Sequence, residues 1–223
     1  MANIKGTNAG TPALAVDDTF KAARVSQRPV EGDHYRLVLQ SGLLTTVAAA
    51  TATAGHIAAF RWTHATKACL VHSVRIRWRT IAGFTAAQEV GVDLIRATAY
   101  TASHTGGTTA TLTSPNFKKA VASAATNLGY AGIGTTGALT AGTHTLDTHS
   151  MGFESFAELA AAATVAKGRF DLFVDFEMDL GGPLILMQNE GLIVRNSILM
   201  GAGGTARVCF SVNYSEAADD LTY

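Results

Sequence analysis

An all-β fold, an antiparallel β-sandwich of jelly-roll type, is predicted by three features of this sequence. The last third runs as four strand-like segments separated by little more than glycine turns: Arg169 to Met178, Pro183 to Gln188, Gly191 to Met200 and Thr205 to Glu216. Short β-rich runs with this punctuation read as consecutive antiparallel strands. Lys67 to Thr80 is the clearest single strand, with Val74, Ile76 and Trp78 on one face and Arg75, Arg77 and Arg79 on the other, as a half-buried strand requires. Finally, 22 glycines against 4 prolines in 223 residues suit a loop-rich β protein that packs through small side chains, and no strict period suggests collagen or linker. About eight to ten strands with at most one or two short helices are most economically a jelly roll. An immunoglobulin-like sandwich, the second reading, usually needs fewer strands and about half this length.

Taken in order, residues 1–30 read as an extended N-terminal arm, because Thr11-Pro12 and Arg28-Pro29 restrict the backbone to extended forms. A short helical turn over Val16 to Ala23 is the weaker alternative. Residues 31–223 then form a single sandwich domain. His34 to Leu44 is a strand and turn, followed by an Ala/Thr run to Ala54, and His56 to Trp62 and Lys67 to Thr80 are the next strands. Gln88 to Ala97 is another, with Val90, Val92 and Leu94 on one face. From about 99 to 150 the chain is rich in Ala, Ser, Thr and Gly, with a turn at Gly106-Gly107 before Thr108 to Thr113. This stretch has too few large side chains for a core and reads as long surface loops or weak edge strands. One helix is predicted, Phe153 to Lys167, with Glu154 and Glu158 in its first turns and Gly168 placed to end it; another strand is the competing reading.

Charge and hydropathy narrow the function. Only 15% of residues are charged against 48% hydrophobic, and 17 basic residues balance 17 acidic ones. A formal charge of zero gives no electrostatic reason to expect nucleic acid or an anionic membrane as partner, and it favours association over dispersal. A surface so poor in charge is expected to be covered by other subunits, so a homo-oligomer or a larger assembly is the expectation. The N-terminus lacks the apolar stretch of a signal peptide, and no run of about 18 apolar residues spans a bilayer, so synthesis in a cytoplasm is expected. Cys69 and Cys209 each sit among alternating apolar residues and read as small buried hydrophobes.

The sequence carries few motifs that point to chemistry. The seven histidines, His34, His56, His64, His72, His104, His144 and His149, show no helical zinc spacing; only His144, Asp147 and His149 cluster in sequence, in a threonine-rich stretch that reads as solvated. Neither a metal nor a cofactor is expected. Gly201 to Gly204 lacks the lysine of a phosphate loop and lies between two strands. Asp171, Asp175, Glu177 and Asp179 form a period-two acidic row that could hold calcium or act on a glycosidic bond, although a solvated or interface-lining strand face is the stronger reading. The opposite charge stands on Arg75, Arg77 and Arg79. These arginines read either as a solvated face or as a subunit contact meeting acidic groups such as Asp171, Asp175 and Glu177.

Met187 to Asn196, then Met200 to Arg207, together with Gly137 to Asp147 and with Pro12 to Asp17 and Ala22 to Val25, resemble segments of uncharacterised proteins encoded among the structural genes of tailed bacteriophages. These are turn-and-strand patterns without catalytic residues. The resemblance implies a virion setting, with major capsid or other virion proteins as partners. The expected role is a non-enzymatic structural protein, first of all a capsid decoration or cement protein. The alternatives are a tail, neck or fibre protein that binds host glycans, and a glycan-active enzyme on a jelly-roll scaffold.

Overall fold

The computed structural model describes residues 15–17, 22–24, 34–45, 47–112, 127–160 and 168–217. The chain divides into two compact units, Met1–Glu31 and Gly32–Tyr223. In the first, β1 (Ala15–Asp17) pairs antiparallel with β2 (Ala22–Arg24), Val16 opposite Ala23, so this segment is a β ribbon and not a helical turn. Thr11-Pro12 and Arg28-Pro29 lie outside the described residues.

The second unit is a sandwich of two antiparallel sheets. A five-stranded sheet runs β11 (Arg169–Asp175), β5 (Cys69–Ala82), β14 (Thr205–Glu216), β3 (His34–Gln40), with β12 (Leu184–Leu186) also on β5. A seven-stranded sheet runs β10 (Gly152–Glu158), β6 (Gln88–Ala102), β13 (Glu190–Asn196), β4 (His56–Trp62), β8 (Leu128–Gly134), β7 (Gly107–Thr109), with β9 (Thr143–Leu146) also on β6. The pairings are nested: β3 with β14, β4 with β13, β5 with β11 and β6 with β10. A chain paired in this way is one long double-stranded ribbon. Winding that ribbon brings β5 beside β14 and β6 beside β13, and these two pairings complete the sheets. This is the jelly-roll arrangement the sequence predicts.

Alternation decides which face is buried. In the five-stranded sheet the inward rows run Phe170, Trp78, Val208; then Leu172, Ile76, Phe210, Leu39; then Val174, Val74, Val212, Leu37, each set in cross-strand register. They meet Phe60, Trp62, Leu192, Val194, Val92 and Leu94 of the other sheet in one continuous core. The aromatic centre of that core is Tyr214, stacked on Tyr35 at 5.0 Å and edge-on to Phe60 at 5.3 Å.

The structure corrects two elements. Residues Phe153 to Glu158 are not helical: they form β10, paired residue by residue with Gln88 to Asp93 of β6, while 161–167 lie outside the described residues. Phe153 and Phe156 stand three apart, a helical spacing that puts them on opposite faces of a strand, so Phe153 is left exposed while Phe156 packs against the core, and pairing with β6 supplies the hydrogen bonds a helix would otherwise supply itself. The strand predicted over Arg169 to Met178 instead stops at Asp175, where the chain enters α1 (Phe176–Leu180). The Asp175 carboxylate accepts from the amides of Glu177 and Met178, and Gly181 in the left-handed region closes the other end. Asp175→Ala is expected to cost about 1 kcal/mol in a urea titration, the usual worth of such a cap. An unchanged midpoint would mean that burial of Phe176 alone holds the turn.

The stretch that reads as loops, 99–150, also has a structural task. Between β6 and β10 it supplies β7, β8 and β9 and lays Leu139 and Leu146 over the outer face of the seven-stranded sheet. There Ala59, Ile95, Ala97, Tyr100, Tyr130 and Ile193 form a second small core. Ile95 and Ala97 face outward by alternation, so Tyr100 would face inward if β6 were regular. Between Thr98 and Ala102 the register with β9 slips by two residues, with Ala99 at φ +46°, and within this irregular stretch Tyr100 turns outward.

Candidate functional site

Two groups of polar side chains stand out on the sandwich, one on the outer face of each sheet. On the five-stranded sheet the outward residues form a grid in register. Its rows are Arg169, Arg79, Arg207; then Asp171, Arg77, Cys209, Gln40; then Phe173, Arg75, Ser211, Val38; then Asp175, Ser73, Asn213, Arg36. The arginines therefore do face away from Val74, Ile76 and Trp78, as the alternation requires.

Since β11 lies directly beside β5, the acidic and basic rows meet within one chain. Arg75 Nε donates to Asp171 Oδ1 at 2.7 Å, its second nitrogen reaches Oδ2, and Arg77 Nε stands 3.4 Å from the same carboxylate. The Arg75 guanidinium holds the Asp171 carboxyl below its ordinary range. Asp175 is occupied as the cap of α1, and Glu177 Oε1 lies 2.5 Å from His72 Nδ1. Asp179 is on α1 and not in the row.

What remains is the row Arg169, Arg79, Arg207, three exposed arginines directly opposite one another on adjacent strands, with no ion pair to any of them among the described residues. Like charges placed opposite each other are destabilising. Beside the row lies an open depression of about 370 Å³ lined by Leu43, Arg77, Arg79, Ile81, Arg207 and the half-buried Cys209. Phe173 and Val38, both about half exposed, add apolar surface to the same face. Cys69, in contrast, is fully buried, and burial pushes its thiol up.

The second group lies on the outer face of the seven-stranded sheet, under the inserted segment. His56 opens β4, His104 follows the irregular end of β6, and His144 comes from β9. The backbone ties the three places together: Leu139 N–H donates to His56 O at 2.7 Å, and Thr105 and Thr140 exchange hydrogen bonds at 3.0 and 2.9 Å. The ring centroids stand 5.1 Å apart for His56 and His104, 5.2 Å for His56 and His144, and 5.1 Å for His104 and His144. One nitrogen from each ring lies within 4.8 Å of the other two.

Hydrogen bonding fixes the tautomers of two rings. His56 Nε2 is 3.0 Å from the carbonyl of Thr51, which only accepts, so Nε2 carries the proton and Nδ1 is bare. His104 Nε2, 2.8 Å from that bare nitrogen, must donate to it. His104 Nδ1 is then bare and accepts from the hydroxyl of Tyr100. The result is a directed chain from Tyr100 through His104 and His56 to Thr51. His144 is different: both of its ring nitrogens are buried without a well-aligned hydrogen bond, although the backbone of Gly142 and Ala52 lies near enough to favour its protonated form.

All three rings are held neutral, chiefly because burial penalises the charged form. His56 and His144 are lowered, and His104, which also feels His56 and His144, falls to about 3. Nearby, Arg195 is paired with Asp93 through two nitrogens, and Ser150 Oγ donates to the same carboxylate at 2.6 Å. The surroundings therefore add little net charge.

The sequence cluster His144, Asp147 and His149 does not assemble, since Asp147 and His149 are exposed while His144 turns under the insertion. His56, His104 and His144 are far apart in sequence at no recognised spacing. Only the irregularity in β6 and the fold-back of the insertion bring them together. No family model and no curated protein matches the chain.

Proposed function

We propose that this chain is a non-enzymatic structural protein of a bacteriophage virion, a capsid decoration or cement protein that docks the outer face of its five-stranded sheet on an acidic surface of a neighbouring shell subunit. The observation that carries this reading is the row Arg169, Arg79, Arg207, without an ion pair among the described residues, at a depression lined by Arg79 and Arg207 together with Leu43 and Ile81. In a chain with 15% charged residues and a formal charge of zero, three arginines in direct opposition concentrate positive potential on one face. An acidic partner removes their mutual repulsion, while Phe173, Val38 and Leu43 supply apolar area. The virion setting comes from the resemblance of the strand-and-turn segments to phage structural proteins. The acidic residues considered for glycan hydrolysis have other tasks: Asp171 binds Arg75, Asp175 caps α1 and Glu177 meets His72.

Arg79→Glu separates docking from solvation. In the free subunit it turns two repulsive cross-strand pairs into attractive ones and is expected to raise stability by about 0.5–1 kcal/mol. Sedimentation with purified empty capsids is expected to show binding weakened about tenfold or more, and wild-type binding is expected to weaken steeply as salt rises above about 0.1 M. A stability gain with capsid binding intact would leave the row as a merely solvated face. Binding to DNA or to tails, with none to capsids, would likewise overturn the reading.

A further inference from the structure

We propose that His56, His104 and His144 form a tris-imidazole site for a first-row divalent cation of the zinc type, which clips the inserted segment onto the outer face of the seven-stranded sheet. The inference is independent of the capsid role, because the site lies on the opposite sheet from the arginine row.

Three observations converge on it. His144 holds two buried ring nitrogens with no well-aligned partner, and orphaned polar atoms of this kind in a native structure call for a water or an ion. A cation would give one of them a partner. The rings also have the right spacing. With Zn–N bonds of about 2.0–2.1 Å, three imidazoles around a tetrahedral ion place their centroids about 5 Å apart, and the observed separations are 5.1, 5.2 and 5.1 Å. Lastly, the outer partners that orient metal-bound histidines are already in place. His56 Nε2 is anchored on the carbonyl of Thr51, itself fixed in a tight turn where Thr51 Oγ1 accepts from the amides of Thr53 and Ala54. His104 Nδ1 is anchored on Tyr100.

Binding requires little rearrangement. His56 presents its bare Nδ1 directly. His104 moves its proton from Nε2 to Nδ1, where the Tyr100 oxygen accepts it, and Nε2 becomes a ligand. His144 supplies the third nitrogen, and a water completes the tetrahedron, so no net proton is released. The His56 and His104 nitrogens must open from 2.8 Å to the ligand spacing of about 3.3 Å, with His144 closing inward from its present place within 4.8 Å of them. His144 is only partly buried and sits on the short strand β9, so it is the ring best placed to admit the ion. Three imidazoles suit zinc, copper, nickel and cobalt and exclude the oxygen-seeking magnesium and calcium. Between β8 and β10 the insertion is held, among the described residues, by Leu139 and Leu146, the short and irregular pairing of β9 with β6 and the backbone bonds of Leu139 to His56 and of Thr140 to Thr105, so a clip joining three segments distant in sequence has structural work to do.

The test uses the full chain, stripped with a chelator and titrated calorimetrically with Zn²⁺, with Co²⁺ as an optical probe. Wild type is expected to take up one equivalent, to give the visible absorption of tetrahedral cobalt, and to melt several degrees higher with zinc than without. His144→Ala removes no well-formed hydrogen bond, so it is expected to keep the apo melting temperature within a few degrees and to bind at least tenfold more weakly. Tyr100→Phe is expected to keep the one-to-one stoichiometry with affinity reduced several-fold, and His149→Ala to bind like wild type. No saturable binding at one equivalent, equal binding by His144→Ala, or a melting temperature lowered by zinc would each overturn the site.

Discussion

Replacing Trp78 by alanine is expected to lower the free energy of unfolding by about 3–5 kcal/mol, a large share of the roughly 5–15 kcal/mol that holds a domain together. Trp78 is 1% exposed at the middle of β5, between Phe170 of β11 and Val208 of β14. Its ring stacks on Phe170 at 6.0 Å and 10°, and its Nε1–H donates to Thr80 Oγ1 at 3.2 Å. Truncation therefore removes a stacking partner, a hydrogen bond and more volume than rigid neighbouring strands can refill. Urea unfolding followed by far-UV circular dichroism reads the loss, and Trp78→Phe is expected to lose less than half as much. A loss below about 1 kcal/mol for alanine would mean that the sheets close over the gap and that this layer is not the packed centre of the sandwich.

The residue next to it behaves in the opposite sense. Trp78 and Arg79 are consecutive on one strand, one facing inward and one outward. The inward residue contributes stability, while the outward one lowers it through its two arginine neighbours. The docking role proposed for this face rests on the register of these three strands and not on low overall charge alone.

How much of this was legible in the sequence follows from the range of the interactions. The strand alternation of Lys67 to Thr80 and the glycine turns of the last third are local signals, and they led to the sandwich directly. The end of β11 was misread because Asp175, Phe176 and Glu177 continue the period of two, and a capping carboxylate in a strand context resembles one more outward residue. The Phe153 to Glu158 segment was misread because alanine and glutamate favour a helix in isolation, whereas pairing with β6 decides in the fold. Arg169 and Arg207 could be named as basic, but their opposition to Arg79 depends on which strands lie beside β5. The histidine group was the least accessible: His56, His104 and His144 meet only after the ribbon is wound and the insertion folds back.

Acid is expected to loosen this protein well above the pH at which its surface carboxylates titrate. His104 has its proton affinity lowered to about 3 by burial and by its two histidine neighbours, against an ordinary value of 6.5. Between those values the unfolded chain binds a proton that the native chain refuses, so stability rises with pH across this window and is lost as pH falls from 6.5 towards 3. At 1.36 kcal/mol per unit, His104 alone removes about 2–3 kcal/mol by pH 4.5. His56 and His144 are lowered as well and act in the same direction. The charges facing the group do not reverse the sign: near His56, Arg195 opposes protonation while its partner Asp93 favours it, and Arg61 stands over the Tyr100 ring at 5.6 Å. The pair of Asp171 with Arg75 also loses stability in acid, but only as pH falls below the ordinary 3.8 of a carboxyl, so the histidine loss comes first and fills the range from 6.5 to 3.8 by itself. Melting temperatures of chelator-treated protein between pH 7.5 and 4.5 read the effect, and hydrogen exchange of Leu139 to Leu146 is expected to accelerate first, since protonation expels the insertion before it opens the sandwich. His104→Gln is expected to flatten the profile. A wild-type midpoint constant over that range would show that the three rings take up protons without being released from the sheet.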